Sequence, residues 1–196
     1  MAGTNTPLVR WQELDAIRRR AIATASGIVL EVGAGTGDNL EYFAEGITWI
    51  GLEPHAASRA ALQRAARARG HHTAVLDARS ERIPLADACV DCVVATFVMC
   101  SVDDIAVSLA EFHRVLAPGG RLVLVDHLAA EKGSGTRALQ NLISPITRIV
   151  DKGCRYNREI TAAISEAGFS SVVGDWYRMA VFPGIAMPCA VHTAVA

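Results

Sequence analysis

Short, nearly continuous apolar runs alternate along most of the chain with longer stretches in which apolar residues recur every three or four positions. The first pattern predicts strands buried on both faces, and the second predicts helices. The predicted strands are 28–32, 48–52, 73–76, 90–97 and 121–125. The predicted helices are 11–23, 56–69, 158–167 and one that follows Ser101, with a capping-box-like start at Ser101 and Asp104.

The end of the chain departs from this alternation. Two further β-type runs, 172–182 and 189–195, are joined by a segment too short to hold a crossover helix. We therefore expect them to pair antiparallel. The strand–helix alternation before them predicts a parallel sheet with helices on both faces. The sequence thus predicts an α/β fold: a doubly wound, mostly parallel seven-stranded sheet with an antiparallel C-terminal hairpin.

Composition narrows the class of protein. The chain has 196 residues, of which 51% are apolar, and a net charge of -1. One domain over residues 1–196 is expected from this length. The chain has no excess of basic residues, so nucleic-acid binding is not expected. No apolar stretch reaches the ~20 residues of a membrane-spanning helix. The chain starts without an apolar signal segment and has five cysteines, an odd number, so we expect reduced thiols and a cytoplasmic protein.

The most informative stretch is a strand that carries Glu31 and runs into the glycine-rich turn 33–37, after which a helix is expected. In a doubly wound sheet this turn lies where ligands bind. The dinucleotide fingerprint places a third glycine where this chain has Asp38. Together with Glu31, that residue suits a cationic ligand better than a pyrophosphate. Glu53 lies 20 residues after Gly33, the expected place for a carboxylate that accepts both hydroxyls of a ribose.

Further motifs accompany this turn. They are Gly51-Leu-Glu-Pro54, Ile83-Pro-Leu85, Asp91-Cys-Val-Val94 and Arg114-Val-Leu-Ala-Pro-Gly-Gly120. Over residues 28–195 the combination resembles the Rossmann-like S-adenosylmethionine (SAM)-dependent methyltransferases. Three shorter segments resemble the subgroup that contains thiol S-methyltransferases and bacterial phospholipid N-methyltransferase-like enzymes. These segments are Thr96-Phe-Val-Met-Cys-Ser-Val102, Val125-Asp-His127 and Gly153-Cys-Arg-Tyr-Asn-Arg158.

The resemblance implies SAM as the cofactor. Glu31 would approach the methionine ammonium, and Glu53 would hold the ribose with Pro54 beside the adenine. The remaining implied cofactor residues are Gly33, Ala34, Gly35, Thr36 and Asn39 in and after the turn, Ser80 and Glu81 on the adenine side, and Thr96 at the methionine. Arg79 replaces the aspartate that is usual on the adenine side, so Ser80, Glu81 or Asp77 would have to supply that contact.

Two polar residues end the fifth predicted strand, on the side where a substrate would lie. His127 can take a proton at neutral pH and is a candidate catalytic base. Substrate contact without proton transfer and a structural role stay open for it. Asp126 is the second catalytic candidate. Because neighbouring strand residues alternate in direction, at most one of the two is expected to face the methyl group.

Three residues are candidate substrate contacts: Cys100, Cys154 and Arg158. For the two cysteines the alternative is a place in the core, and for Arg158 it is an exposed position at a helix start. No metal site is predicted, because Cys89 and Cys92 have the spacing of half a zinc site without a second pair or a nearby histidine.

The acceptor is expected to be a small, apolar molecule, enclosed by residues 1–26 and by a lid insertion at 128–156. A thiol is favoured, because a thiol of pKa ~8.5 is already partly ionised at pH 7, whereas a hydroxyl demands a dedicated base. An N- or O-methyltransferase of a natural product or phospholipid-type substrate stays open. So do a nucleotide-dependent oxidoreductase, a non-catalytic SAM-binding partner protein and a homo-oligomeric assembly.

Overall fold

The computed structural model describes residues 6–72, 75–151, 153–182 and 184–196. Its strands are β1 (Leu8–Val9), β2 (Ile28–Val32), β3 (Thr48–Leu52), β4 (Val90–Thr96), β5 (Leu116–His127), β6 (Ser171–Phe182) and β7 (Ile185–Val195). Its helices are α1 (Trp11–Ile22), α2 (Ala56–Ala68), α3 (Ile105–Val115), α4 (Gly135–Val150) and α5 (Ile160–Glu166).

The seven strands form one sheet in the order β1-β6-β7-β5-β4-β2-β3. β2 pairs parallel with β3 and β4, β4 pairs parallel with β5, and β1 pairs parallel with β6. β7 is antiparallel to both β5 and β6. The predicted fold class is confirmed: a mostly parallel, seven-stranded doubly wound sheet with an antiparallel C-terminal hairpin.

One strand differs from the prediction. The predicted strand at 73–76 lies partly outside the described residues, and its Leu76 makes an isolated parallel bridge to Leu52. The seventh strand is instead β1, a two-residue strand beside β6 that carries no periodic signal of its own. The final strand begins at Ile185 rather than at 189, so Pro188 lies within β7. Proline is tolerated there, and its carbonyl oxygen accepts a hydrogen bond from Leu128 N.

Apolar side chains alternate between the two faces of the sheet. Leu30 of β2 and Val93 of β4 belong to the core cluster that includes Phe112 of α3. Their chain neighbours Val29 and Val94 pack on the opposite face, beside α1. Because helices cover both faces, the carboxyl ends of β2, β3, β4 and β5 are the edge that remains for a ligand.

Two local predictions were wrong. No helix follows the glycine turn, because the described residues 33–46 form successive turns. The helix after Ser101 begins three residues later than its capping-box start suggested. Asp104 is its N-cap, and the Asp104 carboxylate accepts a hydrogen bond from Val107 N at 3.1 Å. A carboxylate at this position satisfies an amide that the first helical turn leaves unpaired.

This assignment predicts a difference between two substitutions. Asp104→Ala removes the cap and should lower the free energy of unfolding by about 1 kcal/mol. Ser101→Ala removes the hydroxyl of the residue first expected to start the helix, and it should change stability by less than about 0.5 kcal/mol. Urea unfolding of both variants measures the two values. An equal loss in both would show that Ser101 contributes to the cap.

Candidate active site

A cavity of about 320 Å³ lies at the carboxyl ends of β2, β3 and β4. This volume falls in the range of small-molecule sites, roughly 300–1,000 Å³. Five of the predicted cofactor residues line it: Gly33, Glu53, Pro54, Ser80 and Glu81. The cavity is therefore where the sequence places the nucleoside half of the cofactor.

Glu53 is the best-placed of these residues for holding a ribose. Its carboxylate is 3% exposed and lines the cavity. One oxygen accepts a hydrogen bond from Gly35 N at 2.8 Å, and the other accepts one from His55 N at 2.8 Å. Since a carboxylate has about four acceptor positions, each oxygen keeps capacity for a ligand hydroxyl. The two backbone bonds fix the orientation of the group in advance.

The glycine turn requires glycine for two reasons. Gly35 has a φ of 58°, a conformation that side chains rarely adopt, and this conformation directs its N–H to Glu53. At Gly33 a Cβ atom would lie 2.5 Å from Cγ2 of Val98, so the turn could not approach the loop after β4 as closely. Both glycines thus bring backbone next to the cavity.

Glu31 is fully buried and engaged at both oxygens. Oε1 accepts a hydrogen bond from Asn39 Nδ2 at 2.8 Å, and Oε2 accepts one from Trp49 Nε1 at 2.7 Å. Asn39 Nδ2 also donates to Thr96 Oγ1 at 2.9 Å. Burial raises the pKa of Glu31 to about 7, against the two hydrogen bonds, which lower it. Three of the predicted methionine-side residues therefore form one network.

Within this network Oδ1 of Asn39 is buried and has no hydrogen-bond partner among the described residues. A buried carbonyl oxygen without a hydrogen-bond partner costs free energy, and a ligand that donates to it removes that cost. Because the Glu31 carboxylate lies next to this oxygen, a positively charged donor fits the position. The methionine ammonium of SAM is such a donor. The residues present therefore fit the implied cofactor.

Trp49 was not predicted as part of this site. Its indole lies over Gly51, where a Cβ atom would come within 2.3 Å of the ring. Glycine at position 51 thus gives the indole room to reach Glu31. The pair has a weak sequence signal, because a glycine two residues after a tryptophan in a buried strand leaves space for the ring on the same face.

On the adenine side, Arg79 lines the cavity but its guanidinium is paired with Asp103 at 2.6 Å. Ser80 is buried and hydrogen-bonded to Ser108 at 2.9 Å between the two hydroxyl oxygens. Glu81 accepts a hydrogen bond from Asp103 N at 2.8 Å. Asp77, the upstream alternative, pairs with a different arginine and is not a lining residue. Ser80 and Glu81 therefore remain the adenine-side residues of the proposal.

Two residues of the glycine turn lie away from the cavity. Ala34 is buried in the cluster that contains Leu62 of α2. Thr36 is exposed, and its hydroxyl donates to Asp38 Oδ1 at 3.1 Å. The turn therefore contributes to the cavity through the backbone of Gly33 and Gly35 rather than through the side chains of Ala34 and Thr36.

At the acceptor side Asp126 holds the loop that follows β4. It is 1% exposed; Oδ2 accepts a hydrogen bond from Met99 N at 2.6 Å, and Oδ1 accepts one from His127 N at 2.9 Å. Burial raises the pKa of Asp126. These contacts are those of a positioning residue, while its catalytic role stays a prediction.

His127 lies beside two of the predicted substrate residues. One ring nitrogen of His127 and the sulfur atoms of Cys100 and Cys154 all lie within 4.8 Å of one another, and all three residues are buried. The hydrogen bond from the Cys100 thiol lowers the pKa of Cys154, and the nearby imidazole adds to this effect. The same pairing raises the pKa of Cys100. Sequence reasoning proposed each residue singly but not this cluster.

Aromatic rings surround the histidine. The ring centroid of Phe97 lies 5.0 Å from that of His127, and the ring centroid of Tyr156 lies 4.8 Å from that of His127. Trp11 of α1 in turn contacts Phe97 at 5.7 Å between centroids. Phe97 has a φ of 55°, which is uncommon for a residue with a side chain and typical of functional sites. Phe97 and Tyr156 were not predicted to take part.

Arg158 is hydrogen-bonded to the loop that follows β4. One of its terminal nitrogens donates to Val102 O at 2.8 Å, and Arg155 donates to the same carbonyl at 2.9 Å. The Nε atom of Arg158 is buried without a partner among the described residues. Its predicted contact with an acidic group of the substrate stays a prediction.

The predicted lid segments border the site. α1 brings Trp11 to it, and α4 lies within the 128–156 insertion, tied to the end of β5 by a hydrogen bond from Gln140 Nε2 to Leu128 O at 2.9 Å. α4 exposes four apolar side chains: Leu142, Ile146, Ile149 and Val150. Their closure over a substrate stays a prediction. Among the described residues, no helix combines the length and apolar character that crossing a membrane requires.

Comparison with known proteins supports this interpretation of the site. The family model described as a methyltransferase domain matches residues 30–124. The thiol S-methyltransferase TMT1B of Rattus norvegicus is 32% identical over 151 residues, which cover 76% of this chain and 62% of that protein. The chain thus spans about three fifths of that relative's length.

A second relative is matched over more of its length. The ubiquinone/menaquinone biosynthesis C-methyltransferase UbiE of Rubrivivax gelatinosus is 30% identical over 176 residues, covering 79% of this chain and 67% of that protein. Among solved structures, the geranyl diphosphate C-methyltransferase of Streptomyces coelicolor has a TM-score of 0.69 at 15% identity, covering 94% of this chain and 81% of that one. That likeness shows the fold.

Proposed function

This chain belongs to the family of SAM-dependent methyltransferases, and we propose that it transfers the methyl group of SAM to the sulfur of a small, apolar thiol. The cofactor half of the proposal depends on the cavity with Glu53 at its wall and on the buried network of Glu31 and Asn39 beside it. The bound cofactor would supply an electrophilic methyl group. The protein would hold it at its ribose and its ammonium group.

The acceptor half depends on one observation: of the two candidate bases at the acceptor side, Asp126 is engaged by backbone amides, which leaves only the imidazole of His127. Both oxygens of Asp126 accept hydrogen bonds from backbone amides, so this carboxylate is engaged in holding the loop. Around His127 lie aromatic rings and two cysteine sulfurs. Such surroundings suit an acceptor that ionises with little help and has apolar substituents. A thiol fits both requirements, whereas a hydroxyl needs a stronger base.

The chain's own contribution would be positioning. Holding two reactants in line can supply ~7–11 kcal/mol of the barrier without further chemistry. Phe97, Tyr156 and Trp11 would enclose the apolar part of the acceptor and exclude water. His127 would take the thiol proton, a role that stays a prediction. The relatives named as thiol S-methyltransferases support the sulfur acceptor, and those named as C- or N-methyltransferases show why it must be tested.

Acceptor class is tested with one apolar scaffold that carries a thiol, an amine or a hydroxyl. With purified protein and SAM we expect the thiol to be methylated at least about tenfold faster than either analogue, because its pKa lies closest to neutrality. Mass spectrometry of the products gives the rates. Methylation of the amine or hydroxyl with an unreactive thiol would refute the sulfur acceptor and leave methyl transfer intact. No transfer to any acceptor, with SAM bound, would favour a non-catalytic partner protein.

The remaining proposals concern the whole molecule. We retain a single domain over residues 1–196 and a cytoplasmic location as predictions, together with a small-molecule acceptor rather than nucleic acid. All five cysteines lie in the described part of the chain, and the expectation that their thiols are reduced stays a prediction as well.

A further inference from the structure

We propose that Cys100, His127 and Cys154 bind one zinc-class metal ion and leave its fourth position open to the acceptor thiolate. The metal site stands on the geometry of the three residues alone. Its role towards the acceptor rests on the proposed function.

The spacing of the three donor atoms fits one ion. The two sulfur atoms and the ring nitrogen lie within 4.8 Å of one another. In a tetrahedral site with Zn–S ≈ 2.3 Å and Zn–N ≈ 2.0–2.1 Å, ligand atoms are about 3.5–3.8 Å apart. No pair of donor atoms therefore has to close by more than about 1.3 Å to enclose an ion, which rotation about side-chain bonds can supply.

The backbone around each donor is already fixed. Cys100 O accepts a hydrogen bond from Arg155 N at 2.9 Å, which ties the loop after β4 to the segment after α4. Cys154 N donates to Asp151 O at 2.8 Å. His127 is held by β5 and by the rings on either side of it. Three separate segments thus bring one donor atom each to within 4.8 Å of the other two.

Burial and donor chemistry indicate a metal rather than an ordinary core cluster. The exposed fractions are 1% for Cys100, 9% for His127 and 4% for Cys154. Nδ1 of His127 is buried and has no hydrogen-bond partner among the described residues. Two thiolates would balance the charge of a divalent ion, so a loaded site would bury no net charge. Thiolate and imidazole ligands select zinc or copper(I) over magnesium or calcium.

Three protein ligands are typical of catalytic zinc, which keeps a position for water or substrate. Ser101 and Gly153 line the cofactor cavity, and they are the chain neighbours of Cys100 and Cys154. The metal site therefore borders the cavity at its acceptor end. Because the imidazole of His127 would then be a metal ligand, His127 would not act as the base, and an acceptor thiol bound there would release its proton to solvent. Its sulfur would then form a bond to the methyl carbon as the bond from that carbon to the cofactor sulfonium breaks, and the thioether product, a weaker ligand, would leave.

Metal binding is measured first, without SAM or acceptor. The reduced full-length protein is made metal-free with a chelator, titrated with Zn²⁺ against a chromophoric competitor and checked by elemental analysis. We expect about one ion per chain, with Cys154→Ser and Cys100→Ser each weakening binding by more than about 100-fold, beyond the 10–100-fold typical of losing a ligand's outer hydrogen-bond partner. Cys89→Ser, a half-buried cysteine outside the cluster, is the matched control and should bind as wild type does.

Cobalt substitution tests the open position. Co²⁺ should give thiolate-to-metal charge-transfer absorption in the wild type and in Cys89→Ser, and the apolar thiol should change its visible bands while the matched alcohol does not. Absence of stoichiometric Zn²⁺ and Co²⁺ binding in a folded, fully reduced protein would overturn the metal site, whatever the acceptor assay shows. Binding that no thiol perturbs would overturn the role towards the acceptor. A thiol-perturbed site in a protein that methylates only amines would instead contradict the proposed function.

Discussion

Glu53→Ala will weaken SAM binding by about 100- to 10,000-fold. Two hydrogen bonds from the ribose hydroxyls to a carboxylate contribute about 1.5–3 kcal/mol each, and about 1.4 kcal/mol corresponds to a factor of ten. The carboxylate is buried, lines the cavity and is oriented by Gly35 and His55, so little reorganisation reduces this contribution. Glu53→Gln keeps the shape and one acceptor oxygen, and it should lose less, about 10- to 100-fold.

Isothermal titration with SAM and with S-adenosylhomocysteine measures these losses. Glu41→Gln is the matched control, because it removes the same charge from a half-exposed carboxylate that is not a lining residue. It should bind SAM as the wild type does. Affinity within about threefold of wild type in Glu53→Ala would mean that the ribose is held by other groups.

Glu31 will make the stability of the ligand-free protein depend on pH. Burial raises its pKa to about 7 in the folded state, whereas an unperturbed glutamate titrates near about 4.3. Between these values the unfolded chain ionises and the folded chain does not. The stabilising contribution of the protonated group is thus present below about pH 4 and is lost as pH rises to about 7, a change on the order of 3 kcal/mol.

Urea unfolding from pH 4 to 8 measures this effect as the difference between wild type and Glu31→Gln. The difference is needed because burial lowers the pKa of His192 to about 4, which makes stability rise with pH over the same window. The two titrations oppose each other in the wild type. His192 is common to both proteins, so it cancels in the comparison. A difference that stays constant with pH would contradict a raised pKa for Glu31.

The same titration should appear in cofactor affinity. A cationic ammonium beside Glu31 favours its ionised form, so SAM should bind about tenfold more weakly at pH 6 than at pH 8. Glu31→Gln should bind weakly with no such dependence. Equal pH dependence in both proteins would place the ammonium elsewhere.

The sequence by itself determined the doubly wound sheet and the place of the candidate cofactor residues at one edge of it. Strand and helix periodicities are local, and Glu31, Gly33 and Glu53 lie at or next to the ends of strands, so their placement at one edge follows from the parallel topology. Local patterns were less reliable at element boundaries. Ser101 and Asp104 both had the chemistry of an N-cap, and only the path of the backbone decided for Asp104.

Only the tertiary structure decided the acceptor side. Cys100, His127 and Cys154 belong to a loop, a strand end and a segment after α4, and nothing in their spacing shows that these segments converge. Likewise Asp126 and His127 were alike as strand-end candidates, and only the structure shows that the Asp126 carboxylate accepts hydrogen bonds from Met99 N and His127 N. Convergence of distant segments depends on packing between elements, which the local sequence does not encode.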